Sequence, residues 1–96
     1  MLDKIKLIND KLEKRFGKED SFRIMTRLLE ECGELAQQIN HFENSGMKKE
    51  KMGEPSKEKL AKELQDVIRC IMQISKHYNL EDKLEESIDK SLKELS

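Results

Sequence analysis

Five acidic residues have a spacing that suits metal-ion chemistry: Glu30, Glu31 and Glu34 in one segment, and Glu63 and Asp66 in a later one. In an α-helix, spacings of three and four residues place the members of each group on one face. Like charges at these spacings repel one another by only about 0.2–0.5 kcal/mol per pair, which a highly charged helix tolerates. The spacing alone therefore does not distinguish a metal site from an ordinary solvated helix face.

The position of these carboxylates relative to the apolar residues is more informative. At about 100° per residue, Glu31 and Glu34 lie at the edge of the apolar stripe of their helix. Glu63 and Asp66 lie at the matching edge of theirs, whereas Glu30 lies farther out. If the two helices pack antiparallel, four carboxylates meet at a helix–helix seam, where unpaired charges are unfavourable. Mg²⁺ prefers oxygen ligands and also binds phosphates, so it would remove that conflict.

Four segments with apolar residues at helical spacing must position these carboxylates. The predicted helices run from Leu2 to a stop at Gly17, from a cap at Asp20 or Ser21 to about residue 44, from a cap at Ser56, and from a cap at Asn79. Residues 43–55 (ENSGMKKEKMGEP) contain two Gly, the only Pro and several charges, which is typical of a mobile loop. The sequence therefore predicts an all-α, four-helix bundle that forms one domain over residues 1–96.

The composition of the chain excludes several classes of protein. Its 96 residues are 41% charged with a net charge of −1, which leaves no basic surface for nucleic acid. No apolar run approaches membrane-spanning length, and the N-terminal MLDKIKLIND lacks the apolar core of a signal peptide. Cys32 and Cys70 lie in apolar helical patterns and are predicted to be reduced core residues. We therefore expect a cytoplasmic protein that binds neither nucleic acid nor membranes.

The two acidic groups and their surroundings resemble the MazG-like, all-α nucleoside triphosphate pyrophosphohydrolases. The signature of that family is Glu-Glu-x-x-Glu, a spacer, and then Glu-x-x-Asp. Here EECGE spans residues 30–34 and ELQD spans residues 63–66. The segments RLLEECGELAQQI and KLAKELQDVIRCIMQISKHYNLE are similar to the two motif helices of the family. The resemblance covers residues 21–92, and its specificity comes from the apolar flanks and the spacer more than from the carboxylates.

The resemblance implies an enzyme that hydrolyses a (d)NTP to the (d)NMP and pyrophosphate in nucleotide-pool housekeeping. Mg²⁺ is the implied cofactor, with Mn²⁺ as an alternative ion. Its implied ligands are Glu31, Glu34, Glu63 and Asp66. Glu30 and Glu34 are the implied catalytic carboxylates, which would assist the attack of water at the α-phosphorus. Family members are usually homodimers or homotetramers whose subunits share the active site, and a chain this short would also gain core from a partner.

Four further residues are candidates for substrate binding. Many relatives carry a base-stacking Trp at the position occupied here by His41, which is followed by Phe42. Relatives also often have basic residues near the C-terminus that reach the phosphates, and Lys90 and Lys93 are the candidates here. An exposed histidine at a helix end and two solvated lysines are the ordinary alternatives. The departure from Trp means that the sequence predicts no base preference.

Two rival interpretations use the same helices differently. A di-iron carboxylate bundle requires Glu-x-x-His motifs, and neither His41 nor His77 lies three residues after a glutamate of the acidic groups. A non-catalytic helical interaction or nucleotide-binding module would explain the apolar stripes and the charge. It would not explain why two acidic groups border the stripes in the order of a known motif.

Overall fold

The computed structural model describes residues 1–43 and 53–96, which fold into four α-helices with no strand in these two ranges. The helices are α1 (Leu2–Phe16), α2 (Ser21–Glu43), α3 (Lys57–His77) and α4 (Glu81–Glu94). The predicted all-α, four-helix fold is therefore confirmed. The predicted loop at 43–55 falls mainly on residues 44–52, which lie outside the described residues. In the described part of the chain, no helix has both the length and the apolar character needed to cross a membrane.

Three helix ends use the capping residues that the sequence predicts. Gly17 follows α1 with a φ of 88°, a left-handed conformation that glycine adopts without strain. Asp20 caps α2, because its Oδ1 accepts a hydrogen bond of 2.8 Å from the backbone N–H of Arg23. Ser56 caps α3, and its Oγ accepts a hydrogen bond of 3.2 Å from the backbone N–H of Lys59.

The predicted cap of the last helix is wrong. Leu80 occupies the N-cap position of α4 and makes no side-chain capping hydrogen bond. Asn79 instead has a φ of 55° and links the end of α3 to the start of α4. Asparagine tolerates the left-handed region better than most residues, so it suits this reversal as well as it suits a cap.

Helix α3 is the centre of the packing, since α1, α2 and α4 each contact it while α1 and α2 do not contact each other. Helix α2 runs antiparallel to α3. Helix α1 runs parallel to α3 and is joined to it by Asn9, whose Nδ2 donates to Arg69 O at 3.1 Å and whose Oδ1 accepts from Arg69 Nη1 at 3.3 Å. The ammonium of Lys76 also binds Asp10 at 2.9 Å and Glu13 at 3.0 Å. The predicted carboxylates lie on α2 and α3. The seam between these two helices is therefore where the predicted site must lie.

The apolar core of the single chain is small. Its buried hydrophobic residues in the described part of the chain are Ile5, Ile24, Cys70 and Met72. Cys70 is fully buried, as predicted, but Cys32 is exposed, so its assignment to the core was wrong for the single chain. Cys32 belongs to a second apolar stripe on the outer side of α2, which also contains Phe22, Met25, Leu29, Ala36 and Ile39. We call this set the outer stripe of α2; all six of its residues are exposed.

Candidate metal centre

Three of the predicted carboxylates meet at the α2–α3 seam. Glu31 of α2 and Glu63 and Asp66 of α3 each offer an oxygen that lies within 4.8 Å of the others. All three side chains are half-buried. We call these residues the acidic cluster. They come together because α2 and α3 are antiparallel and each carboxylate borders the apolar edge of its helix, as the sequence predicts.

Glu34 and Glu30 lie beside the acidic cluster rather than within it. Glu34 is exposed on α2, one turn after Glu31, and its charge acts on both Glu31 and Glu63. Glu30 is also exposed, and the three-residue cluster does not include it. Of the two glutamates predicted to act in catalysis, Glu34 is therefore the one that interacts with the cluster.

The environment of the acidic cluster opposes a full set of negative charges. Burial raises the pKa of Glu63 to about 7, and the neighbouring Glu34, Glu31 and Asp66 act in the same direction. Burial also raises the pKa of Glu31, with further contributions from Glu34 and Asp66. Among these carboxylates, Asp66 has a cationic partner, because Lys62 donates to it at 3.2 Å from the preceding turn. The cluster therefore favours either a bound proton or a bound cation.

The orphan oxygens of the acidic cluster fit a divalent cation. Glu31 Oε2 and Glu63 Oε2 are buried and have no hydrogen-bond partner. A buried carboxylate oxygen without a partner is costly, and a cation would satisfy both atoms at once. The cluster found among the described residues contains only carboxylates, with no His or Cys. Such an all-oxygen set suits Mg²⁺ or Mn²⁺ better than Zn²⁺ or a soft metal.

Other polar residues continue the seam on either side of the acidic cluster. Arg27, one turn before Glu31, binds Glu19 and Gln73 through its terminal nitrogens, while its Nε is buried without a partner. Gln38, one turn after Glu34, likewise has a buried Oε1 without a partner. Neither residue was predicted from the sequence, because Arg and Gln are ordinary on a charged helix. Their spacing of four residues from the motif glutamates is the signal that marks them.

His41 and Phe42 are at the C-terminal end of the same helix. His41 is only 3% exposed, and its Nε2 donates a hydrogen bond of 2.7 Å to Gly53 O. The alternative of an exposed histidine at the helix end is therefore wrong for the single chain. Phe42 is half-buried. In this structure the imidazole thus binds the protein's own backbone, and the role of His41 and Phe42 in binding a base stays a prediction.

The structure does not join Lys90 or Lys93 to the acidic cluster. Both are exposed on α4, which contacts α3 but neither α1 nor α2. Within the described residues, neither lysine forms a hydrogen bond or an ion pair with the carboxylates of the seam. Their predicted contact with substrate phosphates would therefore need movement of α4 or a second subunit.

The fold and the site together define a class of protein: an all-α domain with a carboxylate cluster between two antiparallel helices. The family model described as MazG nucleotide pyrophosphohydrolase domain matches residues 20–95 of this chain. The chain therefore belongs to the MazG nucleotide pyrophosphohydrolase family, as its EECGE and ELQD motifs suggest. No curated protein and no solved structure matches it in the corresponding comparisons.

Proposed function

We propose that this protein is a cytoplasmic, Mg²⁺-dependent enzyme of nucleotide-pool housekeeping that hydrolyses a (d)NTP to the (d)NMP and pyrophosphate. One observation carries the proposal. The carboxylates of Glu31, Glu63 and Asp66 converge within 4.8 Å on the two helices that bear the family motifs. Two of these carboxylates have a buried oxygen without a hydrogen-bond partner. Such an arrangement is expected of oxygen atoms that bind a cation.

The proposed reaction assigns separate roles to the carboxylates. A water oxygen bonds to the α-phosphorus while the bond from the α-phosphorus to the bridging oxygen breaks, and the bridging oxygen leaves with pyrophosphate. Glu31, Glu63 and Asp66 would hold Mg²⁺, which would neutralise phosphate charge. Glu34, exposed beside Glu31 and Glu63, orients the water and accepts its proton. Glu30, also exposed on α2, is a second candidate for that role.

We also propose that the active protein is a homodimer or homotetramer. The outer stripe of α2 exposes large side chains, with Phe22 84%, Leu29 62% and Ile39 47% exposed. An apolar helix face of this kind is typical of a surface that a partner covers. A second copy of the chain would cover it.

A substrate panel tests the proposed activity. The purified protein is incubated with ordinary and modified (d)NTPs in Mg²⁺, in Mn²⁺ and in EDTA, and the products are separated by chromatography. We expect metal-dependent release of the monophosphate and pyrophosphate. Glu63→Gln and Glu34→Gln should each lower kcat/KM by roughly a hundredfold or more, because each removes a charge from the reacting site. Glu85→Gln, on exposed α4, is the matched control and should retain activity.

The other outcomes are equally informative. Release of orthophosphate would show that a different phosphoanhydride bond is cleaved. An absence of turnover across the whole panel would contradict the proposal and would favour a non-catalytic helical interaction or nucleotide-binding module. In that case, Mg²⁺ binding by the acidic cluster, measured by calorimetry on wild type and Glu63→Gln, would show whether the cluster still holds a metal.

A further inference from the structure

A groove with a volume of about 680 Å³ lies between the C-terminal half of α1, the start of α2 and the C-terminal half of α3. Five cationic residues line it: Lys18, Arg23, Arg27, Arg69 and Lys76. Among the described residues, two carboxylates, Glu13 and Glu19, share that lining. We call this feature the cationic groove. Because the whole chain has a net charge of −1, the groove concentrates positive charge that the composition does not predict.

Part of this positive charge has no carboxylate partner. Arg27 pairs with Glu19, and Lys76 pairs with Glu13 and with Asp10 beside the groove. Within residues 1–43 and 53–96, the guanidinium of Arg69 has one hydrogen-bond partner, the neutral Asn9. Among the described residues, Arg23 and Lys18 form no ion pair through their side chains. Three cations, Lys18, Arg23 and Arg69, therefore remain available to an anion.

The cationic groove adjoins the acidic cluster. Arg27 precedes Glu31 by four residues on α2, and Arg69 follows Asp66 by three residues on α3. Each separation is about one helical turn, or about 5.4 Å of rise. Arg27, which contacts Gln73 across the α2–α3 seam, and Arg69, which contacts Asn9 of α1, thus lie about one turn beyond the carboxylates. A chain of phosphates with a bound divalent cation is complementary to both parts, because the cation suits the carboxylates and the outer phosphates suit the arginines.

We infer that the cationic groove binds the β- and γ-phosphates of the substrate and then the pyrophosphate product. This inference rests on the proposed function and adds to it a direction for the substrate. The α-phosphate lies at the acidic cluster, the leaving phosphates point toward α1, and the nucleoside extends the other way along α2. The residues that act are Arg23, Arg69 and Lys18, with Arg27 at the junction of the two sites.

Calorimetric titration with sodium pyrophosphate in EDTA tests the groove directly, because it requires neither the metal nor turnover. Wild type should bind pyrophosphate, and the double variant Lys18→Gln/Arg23→Gln should bind it roughly tenfold more weakly, as expected for loss of charge-assisted contacts. Lys83→Gln, an exposed lysine on α4, is the control and should bind like wild type. Circular dichroism melts of each variant show that the fold is retained. Arg69→Gln should also weaken pyrophosphate binding. This substitution removes in addition the hydrogen bond from Arg69 to Asn9 of α1.

The same variants separate this inference from the proposed function. In Mg²⁺, the constant for product inhibition by pyrophosphate should rise by the same factor in Lys18→Gln/Arg23→Gln and stay unchanged in Lys83→Gln. Turnover with unaltered pyrophosphate binding in the groove variants would overturn the inference and leave the proposed function standing. Groove-dependent binding of pyrophosphate without turnover would support the anion site while contradicting the enzyme. A change of oligomeric state in the groove variants, with pyrophosphate affinity intact, would overturn the inference and assign the groove to a subunit interface.

Discussion

At the scale of single residues, the acidic cluster destabilises the folded chain, because it brings like charges together. Glu31, Glu63 and Asp66 would be more stable apart, since half-buried like charges raise the free energy of the folded chain. The pKa of Glu63, raised to about 7, shows the size of this effect in the metal-free protein. A proton and a metal cation would each relieve the repulsion between these carboxylates, so they compete for the same site. Metal binding by the cluster should therefore depend on pH.

The first residue-scale prediction follows from the sign of that pKa shift. The ordinary pKa of a glutamate, 4.5, is lower than that of Glu63 in the folded chain, about 7, so the folded state holds more protons between these values. Stability without metal must therefore fall as the pH rises from about 5 to about 8. Thermal melts in EDTA across this range should show the fall in wild type and a weaker one in Glu63→Gln. Parallel curves for the two proteins would mean that the proton is held elsewhere.

The carboxylates could be predicted from the sequence, but their surroundings could not. Glu31, Glu63 and Asp66 stand at the edges of apolar stripes, and the helical period is enough to bring such edges together. The helical period is not enough to predict the cationic groove, because the groove depends on α1 lying parallel to α3 through the contact of Asn9 with Arg69. No local pattern in the chain encodes a contact between residues so far apart.

At the scale of the helices, the N-cap rule predicts the wrong residue at the junction of α3 and α4. A short polar residue before an acidic turn usually marks an N-cap, but Asn79 adopts a φ of 55°. The same chemistry that makes asparagine a good cap also makes it tolerant of the left-handed region. The choice between the two depends on where α4 must go after α3, which is set by tertiary structure.

A pair of substitutions at this junction gives an element-scale prediction. Asn79→Ala should lower the free energy of unfolding by about 1 kcal/mol, because a Cβ without a polar group is strained at positive φ. Asn79→Gly should cost much less, since glycine adopts this conformation freely. Urea denaturation at one protein concentration measures both values. Equal losses in the two variants would show that the asparagine side chain, and not its backbone conformation, is what matters.

The sequence predicts one apolar stripe on helix α2, whereas the structure shows two. Its inner stripe, with Ile24, packs on α3, and its outer stripe runs from Phe22 to Ile39 at alternating spacings of three and four. That spacing is the heptad pattern of paired helices. The pattern is visible in the sequence once Cys32 and Ala36 are counted as apolar positions, but it does not reveal which stripe faces the same chain.

At the scale of the whole molecule, the single chain exposes too much surface for its mass. Its accessible surface is 7752 Å², whereas a compact monomer of 11.3 kDa would expose about 5,700 Å². The radius of gyration of 16.3 Å likewise exceeds the roughly 12.5 Å expected for this length. The excess of about 2,000 Å² per chain, or about 4,000 Å² for two chains, is in the range of total area that obligate homodimers bury. This excess supports the proposal that a second copy of the chain covers part of the surface.

Light scattering coupled to size exclusion tests this expectation. The unchanged chain should have a mass of at least twice 11.3 kDa. Leu29→Glu, at the centre of the outer stripe and 62% exposed in the single chain, should shift the protein toward the monomer, because burying an unpaired carboxylate in an apolar interface costs several kcal/mol. Leu7→Glu, on α1 and 55% exposed, is the matched control and should leave the mass unchanged. Dissociation by Leu7→Glu alone would move the interface to α1, and a monomeric wild type would mean that one chain forms the site by itself.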